Sequence, residues 1–133
     1  MTRAFLDTSA VLALMNPKDE QHGRARGAFD LLATQRAALM TTSLVLVETY
    51  ALLGRRLGLA AVRAFRSDLA PLAETMWVDE PTFESGLDLL LARKKRDLSL
   101  VDAVSFLVMR QHGIEHAFAF DSHFEEEGFS LVG

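Results

Sequence analysis

The chain has no cysteine, only three prolines, and one tryptophan and one tyrosine among its 133 residues, and it carries no excess of positive charge. The missing cysteine and the missing positive charge each exclude something. Without cysteine there is no disulfide and no thiolate metal site, so any bound metal is held by oxygen or imidazole and belongs to the hard class. A formal charge of −4 argues against a generic basic nucleic-acid binder, which relies on counterion release at many phosphates. No apolar run approaches the roughly 20 residues of a membrane-spanning helix. The stretches at residues 44–53 and 87–91 are interrupted by Glu48 or far too short. The apolar run at residues 11–15 follows Asp7 and has no cationic segment before it, unlike a secretory signal. A soluble, cytoplasmic protein without a membrane anchor is expected.

What is present is a core. Half the residues are apolar, enough for one domain spanning residues 1–133 to bury about two-thirds of its unfolded surface. Short apolar runs at residues 4–6, 37–41, 75–78 and 117–120 read as strands, with 130–132 as an edge strand. Helical spacing marks residues 20–34, 44–57, 60–69, 79–96 and 99–111, with a further helix after Asp7 capped by Thr8 or Ser9 and ended by Asn16-Pro17. A turn or short helical piece is expected at residues 124–128. Strands alternating with helices of ten or more residues predict an α/β fold: a single three-layer α/β/α domain with a mostly parallel sheet of about five strands.

Four acids stand where folding alone gives them little reason to be charged. Asp7 and Asp121 each follow an apolar strand directly, at the edge where parallel sheets bind ligands. Glu48 sits in mid-helix in a row with Leu44 and Leu52, so it faces inward or lines a cleft. Asp102 lies in Ser99-Leu100-Val101-Asp102, which has the spacing of a capping box. Asp7 could likewise cap a helix and Asp121 open an Asx-type turn. Brought within about 5 Å, each pair of such acids repels by roughly 3 kcal/mol at an effective dielectric of about 20. A cation relieves that repulsion. With oxygen ligands only, Mg²⁺ or Mn²⁺ fits, and the natural reaction is hydrolysis of a phosphodiester by activated water.

Basic residues cluster at Arg93-Lys94-Lys95-Arg96 and around Arg55, Arg56, Arg63 and Arg66. The first run is a candidate phosphate-holding strip, set against the plain alternative of a solvated helix end. The histidines, His123 included, are expected at surface or packing positions, and Tyr50 and Trp77 in the core.

Taken in order, Phe5-Leu6-Asp7-Thr8-Ser9, Leu46-Val47-Glu48-Thr49, Leu98-Ser99-Leu100-Val101-Asp102-Ala103 and Phe120-Asp121-Ser122-His123-Phe124 resemble the four acidic motifs of PIN-domain ribonucleases, and most closely those of VapC-type toxins. The resemblance covers essentially the whole chain. It implies a metal-dependent endoribonuclease using Mg²⁺ or Mn²⁺, usually a homodimer, paired with a cognate antitoxin and acting on RNA. On the motif match, Asp7 and Asp102 are the principal metal ligands, Glu48 and Asp121 complete the pocket, Ser9 supports it by a hydrogen bond, and Asp97 is an outer acid. Where the family often has Thr or Ser two residues before the last acid, this chain has Ala119. Two other readings compete: a degenerate domain that only binds a protein partner, and a phosphohydrolase with Asp7 as nucleophile, for which Ser9 stands where a second Asp is wanted.

Overall fold

The computed structural model describes residues 1–133. Its five strands form one sheet: β1 (Arg3–Leu6), β2 (Ala38–Thr42), β3 (Ala73–Met76), β4 (His116–Phe118) and β5 (Ser130–Leu131). All four pairings are parallel, in the order β3-β2-β1-β4-β5. Seven α-helices cover it: α1 (Thr8–Met15), α2 (His22–Thr34), α3 (Ser43–Arg56), α4 (Leu59–Ala64), α5 (Glu80–Arg93), α6 (Leu100–Gln111) and α7 (His123–Glu126). No helix is long and apolar enough to cross a membrane.

Alternation along β1 divides the core. Ala4 and Leu6 join the cluster beneath α1 and α2 with Val11, Leu32 and Leu53. Phe5 points the other way, to Val104, Phe106 and Phe124. The result is three layers. On the second side α5 and α6 approach closely because Gly86 has no side chain: a Cβ there would press into a Val104 methyl.

Topology then places the site. The chain builds outward from β1 through β2 to β3 and returns to the other side of β1 with β4. The strand order reverses between β1 and β4, and ligands in open α/β sheets bind outside the carboxyl ends of the strands at such a switch point. Leu6 pairs with Phe118 there, and the Asp7 amide donates to the Phe118 carbonyl at 3.1 Å.

Several local expectations shift. The first helix is capped by Asp7, whose carboxylate accepts from the Ser9 amide, and not by Thr8 or Ser9. The third strand sits two residues earlier than its β-rich stretch, because pairing with β2 runs from Leu39–Ala73 to Thr42–Met76. The helix expected at residues 60–69 is α only to Ala64 and continues as a π turn, Phe65–Leu69. Helix α5 stops at Arg93 rather than near Arg96, because Lys94 turns left-handed with φ 55°. Trp77 is 75% exposed, not core. It follows an edge strand, and Met76 and Val78 face the α5–α6 side, so alternation turns the indole away from them.

Candidate metal centre

Asp7 leaves the end of β1 with its carboxylate already committed on one side. The Ser9 amide and hydroxyl both donate to Asp7 Oδ2, at 3.1 and 2.6 Å. Ser9 Oγ also accepts from the Phe120 amide at 2.9 Å, which ties the carboxyl ends of β1 and β4 together. Oδ1 of Asp7 has no protein donor. Asp7 is 4% exposed, and burial pushes its pKa up to about 7, against the lowering effect of the Ser9 hydrogen bonds and reinforced by Asp102 and Asp121.

Asp102 enters from α6. Its capping box with Ser99 is complete: Ser99 Oγ accepts from the Asp102 amide at 3.0 Å, and Asp102 Oδ2 accepts from the Ser99 amide at 3.3 Å. The cap therefore coexists with a position inside the cleft. Burial raises its pKa and the neighbouring Asp121 raises it further. Asp121 stands three residues beyond the end of β4 and is oriented by the His123 amide, which donates to Oδ1 at 2.9 Å.

Glu48 comes from α3. Its own row is half-exposed, while Val45, Thr49 and Leu53 form the buried face. Helix α3 is fixed against α1 by a buried 2.9 Å hydrogen bond between the Thr8 and Thr49 hydroxyls, which holds Glu48 at the rim. Asp7, Glu48, Asp102 and Asp121, with Thr8, Ser9 and Ser99, line one open cleft of about 260 Å³. A larger hollow of about 370 Å³ lies around Arg110, Glu127 and Phe129, but it gathers no such group of acids.

One participant was not anticipated. His123, expected at a surface or packing position, is largely buried among acids: Nε2 lies 3.6 Å from Asp97 and 3.8 Å from Asp121, and Nδ1 is 3.6 Å from Glu126. Nδ1 is buried without a hydrogen-bond partner. Asp102, Asp121 and His123 can each offer a ligand atom within 4.8 Å of the others. Burial disfavours charge on the imidazole, but the fields of Asp121, Asp102, Asp97 and Glu126 outweigh it and raise its pKa. The only signal in the sequence was its place two residues after Asp121. Asp97 itself is 80% exposed at the mouth of this corner.

The donor set is oxygen with one imidazole nearby, and the charges of Asp102 and Asp121 help raise the pKa of Asp7, as that of Asp121 does for Asp102. Both observations fit a hard divalent cation, which would remove the repulsion and favour the ionised carboxylates.

The basic run divides. Arg93 makes two hydrogen bonds to the Glu127 carboxylate and Lys95 pairs with Glu126 at 3.0 Å. Lys94 and Arg96 have no intramolecular partner.

Comparison with known proteins places these features. The chain matches the PIN domain over residues 4–129. It is 40% identical over 129 residues to the 23S rRNA-specific endonuclease VapC20 of Mycobacterium tuberculosis, covering 96% of each chain. The crystal structure of that organism's VapC20, a sarcin-ricin loop cleaving toxin, superposes with a TM-score of 0.83 at 38% identity, covering 95% of both chains. FitAcB from Neisseria gonorrhoeae shares the fold, with a TM-score of 0.70 at 14% identity over 98% of this chain and 96% of that one. So does DNA-bound VapBC from Salmonella typhimurium, at 0.68 and 18% over 98% and 97%. The sheet order, the acids at its switch point and the match along nearly the whole chain agree: this protein belongs to the PIN-domain family.

Proposed function

We propose that the protein is an endoribonuclease that hydrolyses RNA phosphodiester bonds with Mg²⁺ or Mn²⁺, and that it acts as the toxin of a toxin-antitoxin pair. The observation that carries this is the meeting of Asp7, Glu48, Asp102 and Asp121 in one cleft, in a chain 40% identical to a 23S rRNA-specific endonuclease. The same relative suggests 23S ribosomal RNA as substrate, and the toxin named in its structure suggests a cognate antitoxin. A homodimer is part of the proposal, and exposed Val47, Trp77 and Leu91 offer apolar surface for a partner. Cytoplasmic residence follows from the substrate.

Asp7 and Asp102 would be the principal metal ligands, with Glu48 and Asp121 completing the set. The bound cation would polarise the phosphoryl oxygen and lower the pKa of the attacking water. Ser9 holds Asp7 by one oxygen and leaves the other free for the cleft. Ser99 does the same for Asp102 through its backbone amide. Asp97, beside His123, is an outer acid that orients the corner without joining the four. In the strip Arg93, Lys94, Lys95 and Arg96, phosphate contact falls first to Lys94 and Arg96, whose charges are free.

The test is cleavage of purified ribosomes with Mg²⁺ or Mn²⁺, with excess EDTA, and with Asp7→Asn as the control for contamination. Discrete fragments of 23S RNA that vanish in EDTA and with the variant are expected. Cleavage unchanged in EDTA would defeat the metal mechanism.

A further inference from the structure

The end of α7 is fastened in a way that substrate binding does not explain. Glu127, its C-cap, has a side chain only 6% exposed. It accepts from Nε and Nη2 of Arg93 on α5, and from Nη2 of Arg110 on α6 at 2.7 Å. Arg110 Nη2 also donates to the Glu127 carbonyl at 3.0 Å, and its guanidinium lies over the Phe129 ring at 5.2 Å. Two cations from two helices thus meet one shielded carboxylate, and they hold its pKa down at about 2. Lys95–Glu126 adds a weaker, exposed pair.

Helix α7 needs such a fastening. At four residues it is far too short to be stable alone. Its other anchor is Phe124, fully buried and edge-on to Phe106 at 5.2 Å. Phe5 and Phe129 also flank that ring, but apolar packing is non-directional, whereas a planar guanidinium fork fixes direction as well as distance. The other end of α7 borders the cleft, where the His123 amide orients Asp121 and the His123 ring lies among Asp97, Asp121 and Glu126.

We propose that Arg93 and Arg110 clamp Glu127 to set the orientation of α7, making Glu127 a positioning residue for the Asp121–His123 corner of the cleft. The proposal rests on the nuclease reading for its activity readout. It assigns Arg93 to the clamp and not to RNA, so cations adjacent in sequence have separate tasks.

The experiment compares Arg93→Gln, Arg93→Lys, Glu127→Gln, the double Arg93→Gln/Glu127→Gln and, as contrast, Lys94→Gln/Arg96→Gln. Each is measured for kcat and KM on RNA, for the salt dependence of RNA binding, and for Mn²⁺ affinity by calorimetric titration without RNA. The clamp predicts that Arg93→Gln and Glu127→Gln each lower kcat and Mn²⁺ affinity by about 10- to 100-fold, as supporting residues around metal ligands do. KM and the salt slope should change little. The double variant should be no worse than the poorer single one, and Arg93→Lys should not restore activity because it lacks the fork. Lys94→Gln/Arg96→Gln should do the reverse, flattening the salt slope with kcat intact. A raised KM and flattened salt slope in Arg93→Gln, rescued by Lys, would overturn the proposal, as would additive losses in the double variant. If Glu127→Gln does not fold, Arg93→Gln at its more exposed position decides alone. A wild-type protein that cuts no RNA would defeat the nuclease reading, while the Mn²⁺ affinities would still judge the clamp.

Discussion

At the residue scale, the same acids serve the fold and line the proposed site. Asp102 completes a capping box and also lies in the cleft, so the two roles are separable only by experiment. Asp102→Asn keeps an oxygen for the Ser99 amide and removes the charge that Asp121 opposes. Cleavage at saturating Mn²⁺ should fall by at least about 100-fold, since even supporting residues around metal ligands cost up to that much, while the metal-free variant melts no lower than wild type. An active but destabilised variant would reduce Asp102 to a cap. Asp7 gives a pH signature. Its pKa is pushed up from 3.8 to about 7 by burial, so the folded state holds its proton more tightly than the unfolded one. The stability this contributes is full below about pH 4 and is lost as pH rises through 7, a change of roughly 4 kcal/mol at most. Metal-free Asp7→Asn should therefore gain in melting temperature over wild type between pH 4 and 8, and parallel curves would refute the burial account. Asp7 and Asp121 were legible in the sequence because each directly follows an apolar run, residues 4–6 and 117–120, that contains a strand of the sheet. His123 and Glu127 were not, because their partners Asp97, Arg93 and Arg110 lie 17 to 34 residues away.

At the scale of elements, helices with strong caps are legible in the sequence and those decided by packing are less so. Ser99 and Thr42 begin α6 and α3 as their side chains allow. The end of α5 is hidden in the sequence because four consecutive cations look like a last helical turn, whereas Lys94 adopts αL and breaks it. The register of β3 is set by its pairing with β2, and the exposure of Trp77 follows from it. The α5–α6 contact offers a test. Gly86 is buried in mid-helix, where alanine has the better propensity by about 1 kcal/mol, yet its methyl would drive into fully buried Val104. Overpacking of about 1 to 3 kcal/mol should outweigh the propensity gain. Gly86→Ala is expected to lower stability by roughly 1 kcal/mol in denaturant unfolding, and a stabilised variant would show that α5 can move away freely.

At the scale of the whole molecule, the alternation of strand and helix made the three-layer parallel architecture legible, but not the strand order. That order puts β4 beside β1 and so brings Asp7 and Asp121 together across more than a hundred residues. Only topology turns four scattered acids into one cleft, in a protein whose net charge of −4 would otherwise repel RNA. The central claim is that this cleft exists to hold a divalent cation, and Mn²⁺ titrated into the metal-free protein at pH 7, followed by thermal unfolding, tests it without any substrate. Ligand binding to the folded state alone should raise the melting temperature along a saturable curve, worth about 2.7 kcal/mol at a hundredfold excess over Kd, and Asp7→Asn should abolish the rise. A melting temperature indifferent to Mn²⁺, or one that rises equally in Asp7→Asn, would contradict the account.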